Sequence, residues 1–255
     1  MTASRGAGQI CLWDSGSIWI GSTTGVNDVH AHHAVQVGFA LEGRLRFQSP
    51  ADGVWLDCAG AVISSNHPHA FDGRNAPTLA HLFVEPQSLA GRVLLQRFSA
   101  PQGICLLNGP LLKAAVQRLA ASYRASRAPA DLIAAAQDVI RMLTDGVNAP
   151  QPADPRILRA LDYLRGNLGG TVSLERVAAE VHLSPSRLRH LFVQEMGLAF
   201  RPYVLWLRLN RAVEAFAAGE SLTTAAYHAG FADSAHLSRT FRRMYGMAAA
   251  TLRLE

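Results

Sequence analysis

Hydrophobic positions along the chain change their period twice. From about residue 10 to residue 86 they come in short runs, ICLW, SIWIG, VHAHHAVQVGFALEGRLRF, GVWLDC, AVISS and TLAHLFVE, separated by Gly, Asn, Asp and Pro. Runs of that length with turn residues between them predict the strands of a small sandwich or barrel. LRF and VWL flank the turn SPADG and predict a hairpin. From residue 87 the period becomes helical. Leu112, Ala115, Val116 and Leu119 form one stripe, and Ile133, Ile140 and Leu143 another, so two helices are expected over 108–124 and 130–144. They either cap the sheet region or leave an apolar face for a second copy of the chain.

The stretch TDGVNAPQPADPR, residues 144–156, carries three prolines with Gly, Asn and Asp, and breaks both patterns. It predicts a linker at 146–155 between a domain at 1–145 and a helical domain at 156–255. Within the latter the pattern repeats. Ser184-Pro-Ser-Arg-Leu188 through Phe192 matches Asp233-Ser-Ala-His-Leu237 through Phe241 at an offset of 49, and Gly197 matches Gly246 at the same offset. Upstream, Ala178 to Leu183 matches Ala226 to Phe231 at an offset of 48. Each copy reads as helix, short turn, helix, which is a helix-turn-helix.

Charge follows the same division. The chain has 255 residues and a formal charge of +5. Residues 1–155 hold 11 Lys+Arg and 11 Asp+Glu, whereas residues 156–255 hold 13 Arg and 8 Asp+Glu. A neutral front and a basic back predict that the back half meets a polyanion. In the second helix of a helix-turn-helix the buried face packs inward and the other face lies in the major groove. Ser186, Arg187, Arg189 and His190 are the outward positions of the first copy. Ser234, His236 and Arg239 are those of the second, with Arg242 and Arg243 placed for phosphate. Arginine can bind guanine through two hydrogen bonds, which makes Arg189 and Arg239 the specificity candidates. Between the copies, FRPYVLWLRLNRAVEAFAAGE predicts a helix from Phe200 to Ala217. At about 1.5 Å per residue it is a rod of roughly 27 Å, suited to hold two recognition helices near the ~34 Å spacing of successive grooves.

With these residues in view, 155–255 resembles the DNA-binding region of the AraC/XylS family of bacterial transcription regulators. The carriers are LERVAAEVHLSPSRLRHLF, LRLNRA at 207–212, and AYHAGFADSAHLSRTFRRMYG at 226–246. The chain departs from the family at Ala199-Phe200 and Ala248-Ala249, where Ser/Thr-Pro is usual, and at Leu252, usually aromatic. The resemblance implies an α+β chain of two domains: a cupin-like β-barrel followed by a helical pair, then an all-α double helix-turn-helix domain. It implies a dimeric regulator of double-stranded DNA that answers to a small-molecule effector and works with RNA polymerase.

The front half holds six of the ten histidines: His30, His32, His33, His67, His69 and His81. His30, His32, Gln36 and Gly43 resemble the first cupin motif. On a strand His30 and His32 would share a face, as would His67 and His69. His30, His32, Gln36, His67 and His69 are therefore effector-binding candidates, and His30, His32 and His69 are candidate ligands of a divalent metal ion. Gln36 stands where the motif carries a carboxylate, and Phe71 near a further expected histidine, so an organic effector without metal is the other reading. A metal-dependent cupin enzyme fused to a DNA-binding domain is the alternative from another class. No nucleophile constellation is legible, and a non-enzyme is expected. Trp19, Phe39, Phe47 and Trp55 either line a pocket or fill a core. Cys11, Cys58 and Cys105 are odd in number and widely spaced, as in a reducing compartment. No apolar run approaches the ~20 residues of a membrane span, and the N-terminus lacks the apolar core of a signal peptide. A cytoplasmic protein without a membrane partner is expected.

Overall fold

The structure is a computed structural model that describes residues 4–148 and 150–254. Ala149 of the expected linker, and the first three and last residues of the expected domains, lie outside that range. The chain divides into two compact units, Met1–Pro150 together with Phe241–Glu255, and Gln151–Thr240. The second domain expected from sequence ran unbroken to residue 255. Its last fifteen or so residues instead group with the first unit, because they make a strand there.

The first unit runs β1 (Arg5–Trp13), β2 (Gly16–Thr24), β3 (Val26–His30), β4 (Val35–Glu42), β5 (Leu45–Gln48), β6 (Trp55–Cys58), β7 (Gly60–Ile63), β8 (His69–Asp72) and β9 (Thr78–Val84). Then come α1 (Leu89–Arg97), β10 (Ile104–Leu106), α2 (Gly109–Ala125) and α3 (Pro129–Thr144), and from the C-terminal segment β11 (Leu252–Leu254). The strands form a seven-stranded sheet, ordered β10-β7-β4-β9-β2-β1-β11, and a four-stranded sheet, ordered β3-β8-β5-β6. The expected hairpin is β5–β6, with Phe47 opposite Leu56. Among the described residues the strands pair as two separate sheets, not as one closed barrel.

Alternation along the strands of the large sheet decides what faces what. Ile18 and Ile20 of β2, Val35, Val37 and Phe39 of β4, and Ala80, Leu82 and Val84 of β9 share one core with Leu119 of α2 and Leu132, Ala135 and Val139 of α3. Each large aliphatic or aromatic side chain buried this way contributes about 1.5–3 kcal/mol. The helical pair thus caps the sheet, and its bounds are within a residue of those expected. The residues between, Trp19, Gln36, Gly38, His81 and Phe83, take the opposite face. There the small sheet supplies Phe47 and Phe71, whose rings lie 5.1 Å apart. A Cβ on Gly38 would come 2.9 Å from the Phe47 ring and 3.1 Å from His81 Nδ1, so only glycine lets the two meet. Of the aromatic residues named from sequence, Phe39 is core, Phe47 and Trp19 belong to the opposite face, and Trp55 lies under the Arg46 guanidinium at 5.4 Å. The three cysteines are free thiols.

The second unit is helical: α4 (Pro155–Asn167), α5 (Leu174–Glu180), α6 (Pro185–Met196), α7 (Phe200–Ala217), α8 (Leu222–His228) and the start of α9 (Ser234–Tyr245). No helix among the described residues is long and apolar enough to cross a membrane.

Candidate nucleic-acid interface and a buried histidine cluster

Two helix-turn-helix copies are built from matching local interactions. Ser173 caps α5 by accepting from Arg176 N, and Ser184 caps α6 by accepting from Arg187 N at 3.2 Å, with Pro185 as the first helical residue. In the second copy Ser221 accepts from Thr224 N at 3.1 Å and Asp233 from His236 N at 2.6 Å. Both turns need one residue in the left-handed region: His182 (φ 56) in the first and Gly230 (φ 79) in the second. Each turn is closed by the same bond, Leu183 N to Ala178 O and Phe231 N to Ala226 O, both 2.9 Å. The offset of 48 seen in the sequence is this shared turn.

The caps fix which side of each recognition helix turns inward. On α6, Leu188, Leu191 and Phe192 are buried while Ser186, Arg187, Arg189 and His190 are exposed. On α9, Leu237 is buried and Arg239 exposed, whereas Ser234 and His236 are half-buried. The His236 ring stands edge-on to Phe231 at 5.1 Å, so it braces the turn as well as facing outward. Arg243 is exposed. Arg242, exposed too, is held by Asp28 of the first unit's β3 at 2.7 Å.

That ion pair belongs to a larger seat for the C-terminal segment within the first unit. Asp28 N donates to Gly246 O at 2.8 Å, and Asn27 Nδ2 to Tyr245 O at 2.9 Å. The strand β11 then adds to β1 in parallel register, Gly6 to Leu252 and Gly8 to Leu254. Gly246 has φ 68, ends α9 and lies so close to β3 that a Cβ would collide with Asp28 O and come 2.6 Å from His30 Nδ1. Sequence reading missed Asp28 and Tyr245.

The histidines named from sequence come together by a different route from the one expected. His30 ends β3, and His32 lies in the turn before β4, so the pair does not share a face of one strand. His69 opens β8 whereas His67 precedes it and packs its ring against Gly103. His30, His32 and His69 nevertheless converge: each presents a ring nitrogen, and the three nitrogens lie within 4.8 Å of one another. Gln36 bridges two of them, its Oε1 2.8 Å from His32 Nε2 and 3.2 Å from His69 Nε2. Its Nε2 is 3.0 Å from His81 Nδ1. His81 was not among the site candidates; its position on β9, on the same face as Gln36 across the sheet, was the available signal. His67 contributes its carbonyl, which accepts from His69 Nδ1, and His33 turns away to Gln87.

Burial keeps these rings neutral at ordinary pH. It lowers His30 to about 3, aided by the neighbouring His32, and His81 to about 3, aided by His32 and His30. It also lowers His32, and it holds His69, which faces His30 and His32, well below the usual imidazole range. The Tyr245 ring lies 6.2 Å from His32 and 5.6 Å from Phe83, and its phenol is raised by burial.

A helix-turn-helix family model matches residues 177–255. The regulatory protein PocR of Salmonella typhimurium is 31% identical over 97 residues, 38% of this chain and 32% of that protein. The transcriptional activator RhaS of Escherichia coli O157:H7 is 33% identical over 99 residues, 38% of this chain and 36% of that one. The arabinose operon regulatory protein of E. coli K12 is 30% identical over 104 residues, 40% and 36% of the two chains. The chain thus spans about a third of the length of these curated relatives. The fold as a whole is similar to ToxT of Vibrio cholerae O395, with a TM-score of 0.60 at 10% identity, covering 98% of this chain and 95% of that one. Wild-type ToxT, also solved with an unsaturated fatty acid bound, gives a TM-score of 0.57 at 10% identity, covering 96% and 91%. Residues 177–255 thus form part of a helix-turn-helix domain of two copies, similar to that of the AraC-type transcription regulators which the sequence resembles.

Proposed function

We propose that this protein is a sequence-specific regulator of transcription that binds double-stranded DNA through both helix-turn-helix copies. Its activity answers to a small ligand held between the two sheets of a cupin-like first unit. The observation that carries the reading is the pair of recognition helices with buried backs and exposed arginines, Arg187 and Arg189 on α6 and Arg239 on α9. Capping serines and an aspartate orient both helices in the same way relative to their turns. The matched relatives are regulators, and the reading assigns no catalytic step to this chain. RNA polymerase and a second copy of the chain are the protein partners it implies, and the cytoplasm is where it would act. The large exposed hydrophobic residues, Val29, Val54, Leu89, Val193 and Tyr227, lie outside α2 and α3. A dimer contact through that helical pair would therefore be partly polar.

Binding of the full chain to fragments of the DNA upstream of its own coding region, followed by fluorescence anisotropy, tests the reading. Binding should weaken steeply with salt, because arginines displace counterions from phosphate. Arg239→Ala should lose about 1–3 kcal/mol on the preferred fragment and much less on random DNA. Equal losses on both would remove Arg239 from base readout.

A further inference from the structure

The C-terminal segment is held in the first unit by short attachments. After α9 ends at Tyr245, Gly246 turns the chain, a single 3-10 turn covers Ala249–Thr251, and β11 is three residues long. β11 forms an edge of the large sheet, next to β1. Outside that ladder the segment is anchored by the bonds from β3, Asp28 N to Gly246 O and Asn27 Nδ2 to Tyr245 O, and by the exposed pair of Arg242 with Asp28. Asn27 is oriented in turn by Ser4, whose hydroxyl donates to Asn27 Oδ1. Leu252 is buried. A Cβ on Gly6 would stand 3.2 Å from its methyl, and 3.5 Å from both Met247 Cε and the Trp19 ring. Between these contacts Ala248, Ala249 and Ala250 offer no more than methyl groups. The nearby Trp19 indole N–H is buried with no acceptor among the described residues, a destabilising feature of the seated arrangement. A terminal edge strand of this kind opens at lower free energy than central strands such as β4 and β9.

While seated, the segment withholds charge from a polyanion. Arg242 lies one helical turn past Arg239 on α9, and its guanidinium faces the Asp28 carboxylate at 2.7 Å. A cation so engaged does not neutralise a phosphate, and Asp28, itself exposed, sets a negative charge beside it. We infer that the C-terminal segment is an autoinhibitory strap. Seated on β1 and β3 it weakens DNA binding, and in the tightly binding form it is lifted away. The inference rests on the DNA-binding reading and adds a switch to it. Removing the Asp28 charge frees Arg242 alone, whereas lifting the strap also frees the last turn of α9, which Asn27 and the Asp28 amide hold through Tyr245 and Gly246. If only the lifted form binds tightly, the apparent Kd is raised by the inverse of the fraction lifted. Preventing release then weakens binding, and favouring release strengthens it.

Ala7 and Arg253 are register partners across β1 and β11. Neighbouring strands stand about 4.7–4.9 Å apart, within the Cα separation that a disulfide spans. The full-length double variant Ala7→Cys/Arg253→Cys therefore locks the strap when oxidised and frees it when reduced. Both states are titrated by fluorescence anisotropy against the upstream DNA fragment that wild type binds best, with wild type and each single variant treated alike. The oxidised double variant should bind on the order of tenfold more weakly than the reduced one, with no such change in the controls. Leu252→Ser removes the buried anchor, and should bind more tightly than wild type while its amides at 252–254 exchange faster. Equal or tighter binding by the cross-linked form overturns the strap. So does a Leu252→Ser protein whose β11 is lifted, by hydrogen exchange, without tighter binding, and this variant decides alone if the cysteines do not cross-link. Binding by no form, wild type included, to any fragment fails the DNA-binding reading itself and the inhibition with it, whereas equal binding by locked and free forms fails the strap alone.

Discussion

At the scale of single residues, Gly246 shows how tightly one position can be specified. It ends α9 in the left-handed region, as Gly197 ends α6, and both match in the repeat. That conformation alone costs another residue about 1–3 kcal/mol. Gly246 also leaves no room for a Cβ against Asp28 O and His30. Gly246→Ala should therefore loosen the C-terminal segment while the remaining strands hold. Hydrogen exchange at Leu252–Leu254 should accelerate strongly, with exchange along β4 and β9 unchanged; unaltered protection at β11 would contradict the account. The sequence showed this glycine as a repeat position and nothing more. It also offered His30, His32, Gln36 and His69, on the likeness to a cupin motif and on the argument that histidines two apart share a strand face. They meet because a strand end, the connection after it and a second strand's first residue converge, a long-range arrangement that local period does not encode. His81 was passed over for the same reason.

Among elements, those with strong local signals were legible and those held by distant partners were not. The helix Phe200–Ala217 matches its expected bounds, since its apolar stripe and the Gly219 stop are local. Ser184, Pro185 and Asp233 marked the starts of α6 and α9. Three-residue strands such as β10 and β11 carry no readable pattern, and exist because β7 and β1 offer them an edge. The end of α9 shows what such a docking does to a charge. Arg242 was expected at phosphate, yet Asp28 holds it. An exposed pair of this kind is worth up to about 1 kcal/mol. On the DNA-binding reading, Asp28→Asn should tighten DNA binding by at most about fivefold and steepen its salt dependence by about one counterion. An unchanged slope would show that Arg242 does not reach phosphate when freed.

On the scale of the whole molecule, the division of labour was readable from charge and period: a neutral sheet-rich front, a basic helical back. What sequence did not show is that the last residues of the basic part, from Phe241, are built into the front unit through β11 and the seat on β3. On the proposed function both recognition helices read DNA, connected by an α7 of about 27 Å. Selection of binding sites from a random duplex pool by the full-length protein tests it most directly. The expected outcome is an enriched sequence with two short recurring elements spaced about one helical turn, roughly 10–10.5 base pairs centre to centre. Arg189→Ala should relax one element and Arg239→Ala the other. A single conserved element altered by both substitutions, or no enrichment over the starting pool, would contradict it.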